Sequence, residues 1–182
     1  MPMEEYPLEK SFMFVEPGPV LLITTRNGER NNIMTATWHM VLDFTPRIAL
    51  ATGPWNYSYR ALTASGECVL AVPAVDLAEK AVAIGDCSGA EVDKFKQFGL
   101  TPLPAAEVEA PLIEECPACL ECRVEEHLER QEIFILRGVR AWVNPARKEH
   151  RTFHARGDGT FVVDGRCIHL RSLMEDKLPP GV

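Results

Sequence analysis

The sequence predicts a closed antiparallel β-barrel with short helical insertions, on three observations. Six or more runs of β-branched and apolar residues recur along the chain, turn residues separate them at short intervals, and no repeat, low-complexity tract or linker divides the 182 residues. That length suits one ordinary domain, so residues 1–182 are read as a single unit able to bury its own core.

After an acidic lead-in, Pro19-Val20-Leu21-Leu22-Ile23-Thr24-Thr25 is apolar and β-branched, and Asn27-Gly28 signals a tight reversal. Residues 38–44 alternate bulky side chains, Pro46 interrupts them, and Arg47-Ile48-Ala49-Leu50-Ala51-Thr52 forms a further strand stopped by Gly53-Pro54. Three strands this close together suggest an antiparallel meander. Asn56 is placed to cap a helix over 57–65, because its side-chain oxygen can accept from the first orphan amides, and Gly66 suits the exit. Residues 67–72 return as a strand. Leu77, Ala81 and Ile84 share one face of a second helix over 76–84, and a third covers 91–98, ending at Gly99. The proline-interrupted stretch 101–111 reads as a surface loop. Residues 118–128 and 132–143 form a hairpin, with Ile133-Phe134-Ile135-Leu136 buried on both faces or at an interface. Two turn signals, Gly157-Asp158-Gly159-Thr160 and Asp164-Gly165, flank a last strand at Phe161-Val162-Val163.

Composition narrows the function classes. With 46% hydrophobic and 25% charged residues the chain has globular usage, and a net charge of −7 disfavours duplex nucleic acid and anionic membrane as partners. A small anionic ligand held by local donors stays open. The acidic Met1-Pro2-Met3-Glu4-Glu5 start is unlike a secretory signal, and no run approaches the ~18 apolar residues of a membrane span. The expectation is a cytoplasmic protein whose six cysteines stay reduced.

Cys116, Cys119 and Cys122 form two overlapping C-x-x-C spacings, yet a closed metal site needs four ligands, and neither a paired cysteine nor a suitably spaced histidine supplies the fourth. Period-two alternation instead puts Leu120, Cys122 and Val124 on one strand face and Cys119, Glu121 and Arg123 on the other, making Cys122 a small buried hydrophobe. No metal site is assigned. His39, His127, His150, His154 and His169 are scattered, none is assigned a catalytic role, and the familiar hydrolase, zinc-protease and phosphate-loop signatures are missing.

Two segments carry chemistry. Asn31-Asn32-Ile33-Met34-Thr35-Ala36-Thr37-Trp38 is a charge-poor bridge of small polar residues ending on an indole, suited to offering backbone groups to a flat heterocycle, although a plain β-connection has the same composition. Thr52-Gly53-Pro54-Trp55-Asn56-Tyr57-Ser58-Tyr59-Arg60 places hydroxyls, an amide and an arginine at a helix start, where unpaired N–H groups favour phosphate.

The order of these pieces resembles the flavin reductase-like proteins with an FMN-binding split barrel, in particular the flavoredoxin-like branch. The resemblance spans residues 19–174. It is carried by Leu22-Ile23-Thr24-Thr25, Asn32-x-x-Thr35-Ala36-x-Trp38, Asn56-Tyr57-Ser58, Gly66-Glu67-Cys68-Val69-Leu70-Ala71-Val72-Pro73, Ser88-Gly89 with Asp93-Lys94-Phe95, Gly99-Leu100, the strand Leu120-Glu121-Cys122-Arg123-Val124 and the Gly157-Asp158-Gly159-Thr160-Phe161 turn. It implies a mainly β, antiparallel, Greek-key-like split barrel that binds FMN as a homodimer with flavin near the subunit interface. Met34, Thr35, Ala36, Thr37 and Trp38 would follow the isoalloxazine and ribityl chain, with Thr52 beside them; Asn56, Tyr57, Ser58, Arg60, Ser88, Gly89 and Lys94 would surround the phosphate.

The chain departs from the family at two points. Asn56 stands where an arginine is frequent, so phosphate binding would lean on Arg60, Lys94 and helix amides. Arg130-Gln131-Glu132 stands where an Asp-His pair is frequent, which bears on nicotinamide use more than on flavin binding. The implied activity is an NAD(P)H-dependent flavin reductase passing hydride to flavin N5, with Thr35 and Thr37 as candidate donors near N5 or O4 and no catalytic acid named. The chain has no room for a separate nicotinamide domain, so NAD(P)H would dock transiently over the flavin, and a monooxygenase or redox protein would be the partner. The alternatives are a flavoredoxin-type electron carrier and a non-catalytic flavin-binding dimer.

Overall fold

A computed structural model describes residues 2–179. In chain order it contains strands β1 (Glu4–Tyr6), β2 (Leu21–Asn27), β3 (Arg30–Ala36), β4 (His39–Val41) and β5 (Arg47–Ala51), helix α1 (Tyr57–Ser65), strand β6 (Glu67–Val72), and helices α2 (Ala78–Gly85) and α3 (Lys94–Phe98). The strands β7 (Pro102–Leu103), β8 (Leu112–Ile113), β9 (Ala118–Leu128), β10 (Ile133–Val143), β11 (Phe153–Ala155) and β12 (Phe161–Val163) follow. Single 3₁₀ turns and one longer 3₁₀ segment at Leu8–Phe14 fill the connections.

Eight strands form one antiparallel sheet in the order β3-β2-β6-β9-β10-β5-β4, with β1 also pairing with β10. Laid flat, seven neighbouring strands would separate the two edges by about 29 Å at the usual inter-strand spacing. Yet the edges β3 and β4 are joined by Thr37 and Trp38 alone, and three residue steps reach no more than about 11 Å. The sheet must therefore curl until its ends meet. Two register shifts on the β9–β10 pair, between Ile135 and Leu136 and between Gly138 and Arg140, supply bend. Glycine is required at 138, where a Cβ would lie 2.8 Å from both the Leu120 side chain and Pro46. Along its far side β10 divides, pairing with β5 over residues 133–137 and with β1 over 141–143.

Alternation along the strands loads both faces. Leu21, Ile23, Met34, Leu50, Leu120, Cys122, Phe134 and Leu136 cluster on one face, while Leu22, Ile33, Val69, Cys119 and the α2 and α3 residues Ala81, Ile84 and Phe95 cluster on the other. Cys122 and Cys119 thus fall on opposite faces, as the period-two pattern requires. The run Phe134, Ile135, Leu136 is buried within this one chain, because β9 and β5 flank it.

Three expectations need correction. The early strands form two hairpins, β2–β3 and β4–β5, at opposite ends of the sheet rather than a meander, because the later strands β6, β9 and β10 insert between them. The third helix starts at Lys94, not 91, since Asp93 caps it by accepting from the Lys96 amide at 3.2 Å. The 101–111 stretch is exposed at Thr101, Pro102, Pro104, Ala106, Glu107 and Glu109 but is more than a surface loop, since Val108 and Ala110 are buried and β7 pairs with β8. The reason is Glu121. Its carboxylate is fully buried and accepts from the amides of Ala106 at 3.0 Å, Glu107 at 2.6 Å and Val108 at 3.1 Å, and from the indole N–H of Trp142 at 2.6 Å. Satisfied backbone can be buried where bare backbone cannot.

His154 has a structural place, its ring nitrogens lying 2.8 Å from Asp164 Oδ1 and 3.1 Å from the Gly18 carbonyl, which ties the β11–β12 hairpin to the chain before β2.

Replacing Glu121 by alanine takes the acceptor from four donors at once, two of them buried, and the expected loss of stability is about 3–5 kcal/mol. Urea unfolding should show a lower midpoint at unchanged slope; a midpoint equal to the parent's would mean that the 104–111 segment is held by other contacts.

Candidate functional site

The residues singled out in the sequence converge where the two ends of the curled sheet meet. Thr52, just past β5, places its hydroxyl 3.9 Å from the Met34 sulfur on β3, a contact between opposite edges of the sheet path. One cavity of about 270 Å³ opens there, lined by Asn32, Met34 and Thr35 of β3, by Trp55, Asn56, Tyr57 and Ser58 at the start of α1, by Ile84 to Ser88 leaving α2, and by Lys94. A second, of about 180 Å³, shares Met34, Thr35, Trp55 and Asn56 with it and adds Ala36, Thr37, Trp38, Ala51 and Thr52. Trp38 and Trp55 stand at its mouth, 69% and 63% exposed.

Local chemistry fixes each wall. Asn32 is buried and donates from Nδ2 to Ser58 Oγ at 2.7 Å, locking β3 to α1. Gly89 lies against it: a Cβ there would sit 2.0 Å from Asn32 Oδ1 and 2.8 Å from the Tyr57 ring, so the position admits only glycine. Gly89 therefore serves by lacking a side chain, and lines neither cavity. Thr35 donates its hydroxyl proton to the Ala81 carbonyl at 2.5 Å, holding α2 to β3. Arg30 reaches the carbonyls of Ala90 and Val92 at 3.4 and 3.2 Å and so ties the loop before α3 to the same strand.

Two expected roles are not met. Asn56 occupies the N-cap position of α1, but its side chain makes no capping bond; Nδ2 donates to Thr52 Oγ1 at 3.0 Å instead. The seam competes for the amide group and wins, which leaves the start of α1 without a side-chain cap at the cavity that Tyr57 and Ser58 line, the Tyr59 N–H turning to the Asn56 carbonyl at 3.1 Å. Arg60 is exposed on α1 and lines neither cavity.

Lys94 is the principal charge. It is only 4% exposed, its Nζ donates to the Ile84 carbonyl at 2.8 Å, and among the described residues no carboxylate forms a salt bridge with it. Burial pushes its pKa down from the ordinary lysine value, while the neighbouring Cys87 works the other way. An ammonium so placed costs stability unless an anion joins it. The Ser58 and Ser88 side chains and Lys94 thus gather on the wall of the larger cavity, a set of donors compatible with an anionic group, while Met34 to Trp38 line the smaller one.

Asn32 and Trp55, which stand inside the two segments that carry chemistry, line the larger cavity, and so does Cys87, which no sequence signal marks because its place depends on the folded seam.

A family model described as the flavin reductase like domain matches residues 13–160. An uncharacterized protein of Archaeoglobus fulgidus is 37% identical over 102 residues, covering 56% of this chain and 58% of that protein, so that match spans little more than half of the relative's length. The uncharacterized protein YddH of Escherichia coli is 29% identical over 168 residues, covering 83% of this chain and 89% of YddH. Among solved structures, an FMN-binding domain of a flavin reductases-like enzyme from Shewanella baltica superposes with a TM-score of 0.83 at 22% identity, over 92% of this chain and 96% of the other. The flavoredoxin of Desulfovibrio vulgaris (Miyazaki F) superposes with a TM-score of 0.77 at 26% identity, over 84% and 89%.

Replacing Lys94 by methionine removes the buried charge and should stabilise the ligand-free protein by about 1 kcal/mol or more. The sign with pH follows from its lowered pKa. Below the ordinary lysine value of 10.5 the unfolded chain keeps a proton that the folded protein has shed, so parent stability rises with pH across that window. Denaturation midpoints as a function of pH should show this rise in the parent and a flatter profile in the variant; identical profiles would refute the assignment of Lys94 as an uncompensated charge.

Proposed function

The chain belongs to the flavin reductase-like family, and on that premise we propose that it is an FMN-dependent oxidoreductase that takes electrons from NAD(P)H. The observation that carries this reading is Lys94: a buried ammonium without a carboxylate partner, facing a cavity at an uncapped helix start, in a protein whose net charge is −7. The fit to FMN is chemical. Lys94, Ser58, Ser88 and the α1 amides would hold the phosphate, and Met34, Thr35, Ala36, Thr37 and Trp38 would lie along the ring and ribityl chain beside Thr52, with Asn56 shared by the two cavities. Arg60 drops out of the phosphate set, and Gly89 acts by letting Asn32 approach Tyr57.

FMN, when bound, would supply the redox chemistry. The protein's own part is to bind, orient and exclude water. Asn32 fixes the Ser58 hydroxyl by donating to it, so that hydroxyl keeps its own proton to give to an anion. Thr35 spends its hydroxyl proton on Ala81, which leaves the Thr37 hydroxyl and backbone groups of the 34–38 segment as the donors available to a ring. Trp38 and Trp55 narrow the mouth and limit the approach of water.

A dimer is part of the proposal. Trp38, Met40 and Phe44 are 69%, 60% and 57% exposed along and beside the edge strand β4, next to the cavity, a stripe too apolar to be left to solvent. A second reading, an electron carrier of flavoredoxin type, is favoured by one feature. Glu132 has φ +54°, and its carboxylate packs over Gly53 beside Trp55, placing negative charge at the mouth where an anionic dinucleotide would approach.

Titration with FMN followed by removal of the excess should leave a yellow protein, and a colourless one would end the flavin reading. The Ser58→Ala, Lys94→Ala double variant should bind FMN at least about tenfold more weakly, as expected for losing two charge-assisted contacts; unchanged affinity would show that the phosphate lies elsewhere. Steady NAD(P)H oxidation with free FMN as acceptor supports the reductase over the carrier. Sedimentation should give a dimer for the parent and a monomer for Trp38→Glu, Met40→Glu; a monomeric parent would remove the dimer from the proposal.

A further inference from the structure

Six thiols are distributed unequally. Cys68, Cys116, Cys119 and Cys122 are fully buried in the two cores. Burial holds Cys116 and Cys122 well above the usual thiol range and pushes Cys119 up to about 12, so these groups stay protonated and out of reach. Cys167 is exposed on the C-terminal segment. Cys87 alone combines partial exposure with a place in the wall of the larger cavity.

Its neighbour gives that position its meaning. The Ile84 carbonyl accepts from Lys94 Nζ at 2.8 Å and lies 3.8 Å from Cys87 Sγ, so thiol and ammonium converge on one oxygen. That bond uses one of the three N–H donors of Lys94, which is 96% buried and lines the same cavity; the others are unspent. A thiol beside a buried cation without a carboxylate partner stands where an anionic reagent would be drawn.

We propose that Cys87 is a thiol-modification site that gates cofactor loading, forming a mixed disulfide with an anionic low-molecular-weight disulfide when the cavity holds no flavin. The inference rests on the flavin reading above. Cys87 gives up its proton, and its thiolate attacks one sulfur of the incoming disulfide. The S–S bond of the reagent breaks as the new S–S bond to Cys87 forms; the departing thiolate takes the proton. The Cys87 sulfur is oxidised and the departing sulfur reduced, so no further oxidant is needed. The attached group then fills a space of about 270 Å³ beside Lys94 and Ser88, the donors an FMN phosphate would need. Adduct and cofactor are mutually exclusive.

The test uses the full chain carrying Cys167→Ser, which removes the exposed competitor, with oxidised glutathione as the probe. Intact mass and peptide mapping should show one glutathionyl group, on Cys87, and none in the protein that also carries Cys87→Ser. With FMN at about ten times its Kd, labelling should slow about tenfold, as mass action requires for mutually exclusive ligands. The glutathionylated protein should fail to retain FMN, and dithiothreitol should restore retention. Labelling at the same rate with and without bound FMN, or FMN retention by the modified protein, overturns the gate while leaving the flavin reading intact. Failure of the untreated protein to bind FMN overturns the flavin reading and the gate together.

Discussion

Two residues, Thr37 and Trp38, join the opposite edges of a seven-strand path, and this short tether governs the rest of the architecture. A sheet held at both ends by so short a link cannot be flat. Curling gives it an inner and an outer face, which is why both faces of β9 and β10 carry buried side chains and why Gly138 must let Leu120 and Pro46 close in. The same tether creates a seam, and the seam is where the cavities lie. Met34 from one edge meets Thr52 from the other, with α1 starting immediately beyond. Site and fold closure are thus one geometric event.

Charge follows the same logic. The protein is acidic overall but concentrates donors at the seam, and it does so at a local cost. Lys94 is buried without a carboxylate, and α1 begins without its side-chain cap. Each is an arrangement that stability alone would remove, since a buried ammonium and bare helix amides are both unfavourable in isolation. Elsewhere the chain treats buried charge differently: Glu121 meets four donors and is left wanting nothing. A carboxylate in the core with four donors thus contrasts with a cavity ammonium that has one backbone acceptor and no carboxylate partner.

Much of this was legible in the chain itself, because local patterns report local structure. The Asn27-Gly28 reversal, the alternation at 119–124 and the long hairpin all appear as read, and Met34 to Trp38 with Asn56 to Ser58 do line adjoining cavities. What escaped depends on pairs distant in sequence. The order of strands in the sheet is set by insertion of β6, β9 and β10 between the two early hairpins, which no local run announces. Asn56 reads as a cap until Thr52 is brought within 3.0 Å of it. The 101–111 segment reads as surface because of its prolines, yet its amides find Glu121, a residue whose strand position marked it only as facing away from Cys122. Arg60 has the right charge near the right motif, but it is exposed and lines neither cavity.

The placement of the three tryptophans gives the molecule an optical asymmetry. Trp38 and Trp55 stand in the wall of the seam, while Trp142 is buried with its N–H committed to Glu121. An absorbing ring held at the seam would quench the first two emitters at contact range and the third far less, so the chain carries a gauge and its reference in one emission band. Occupancy of the seam is readable without attaching any dye.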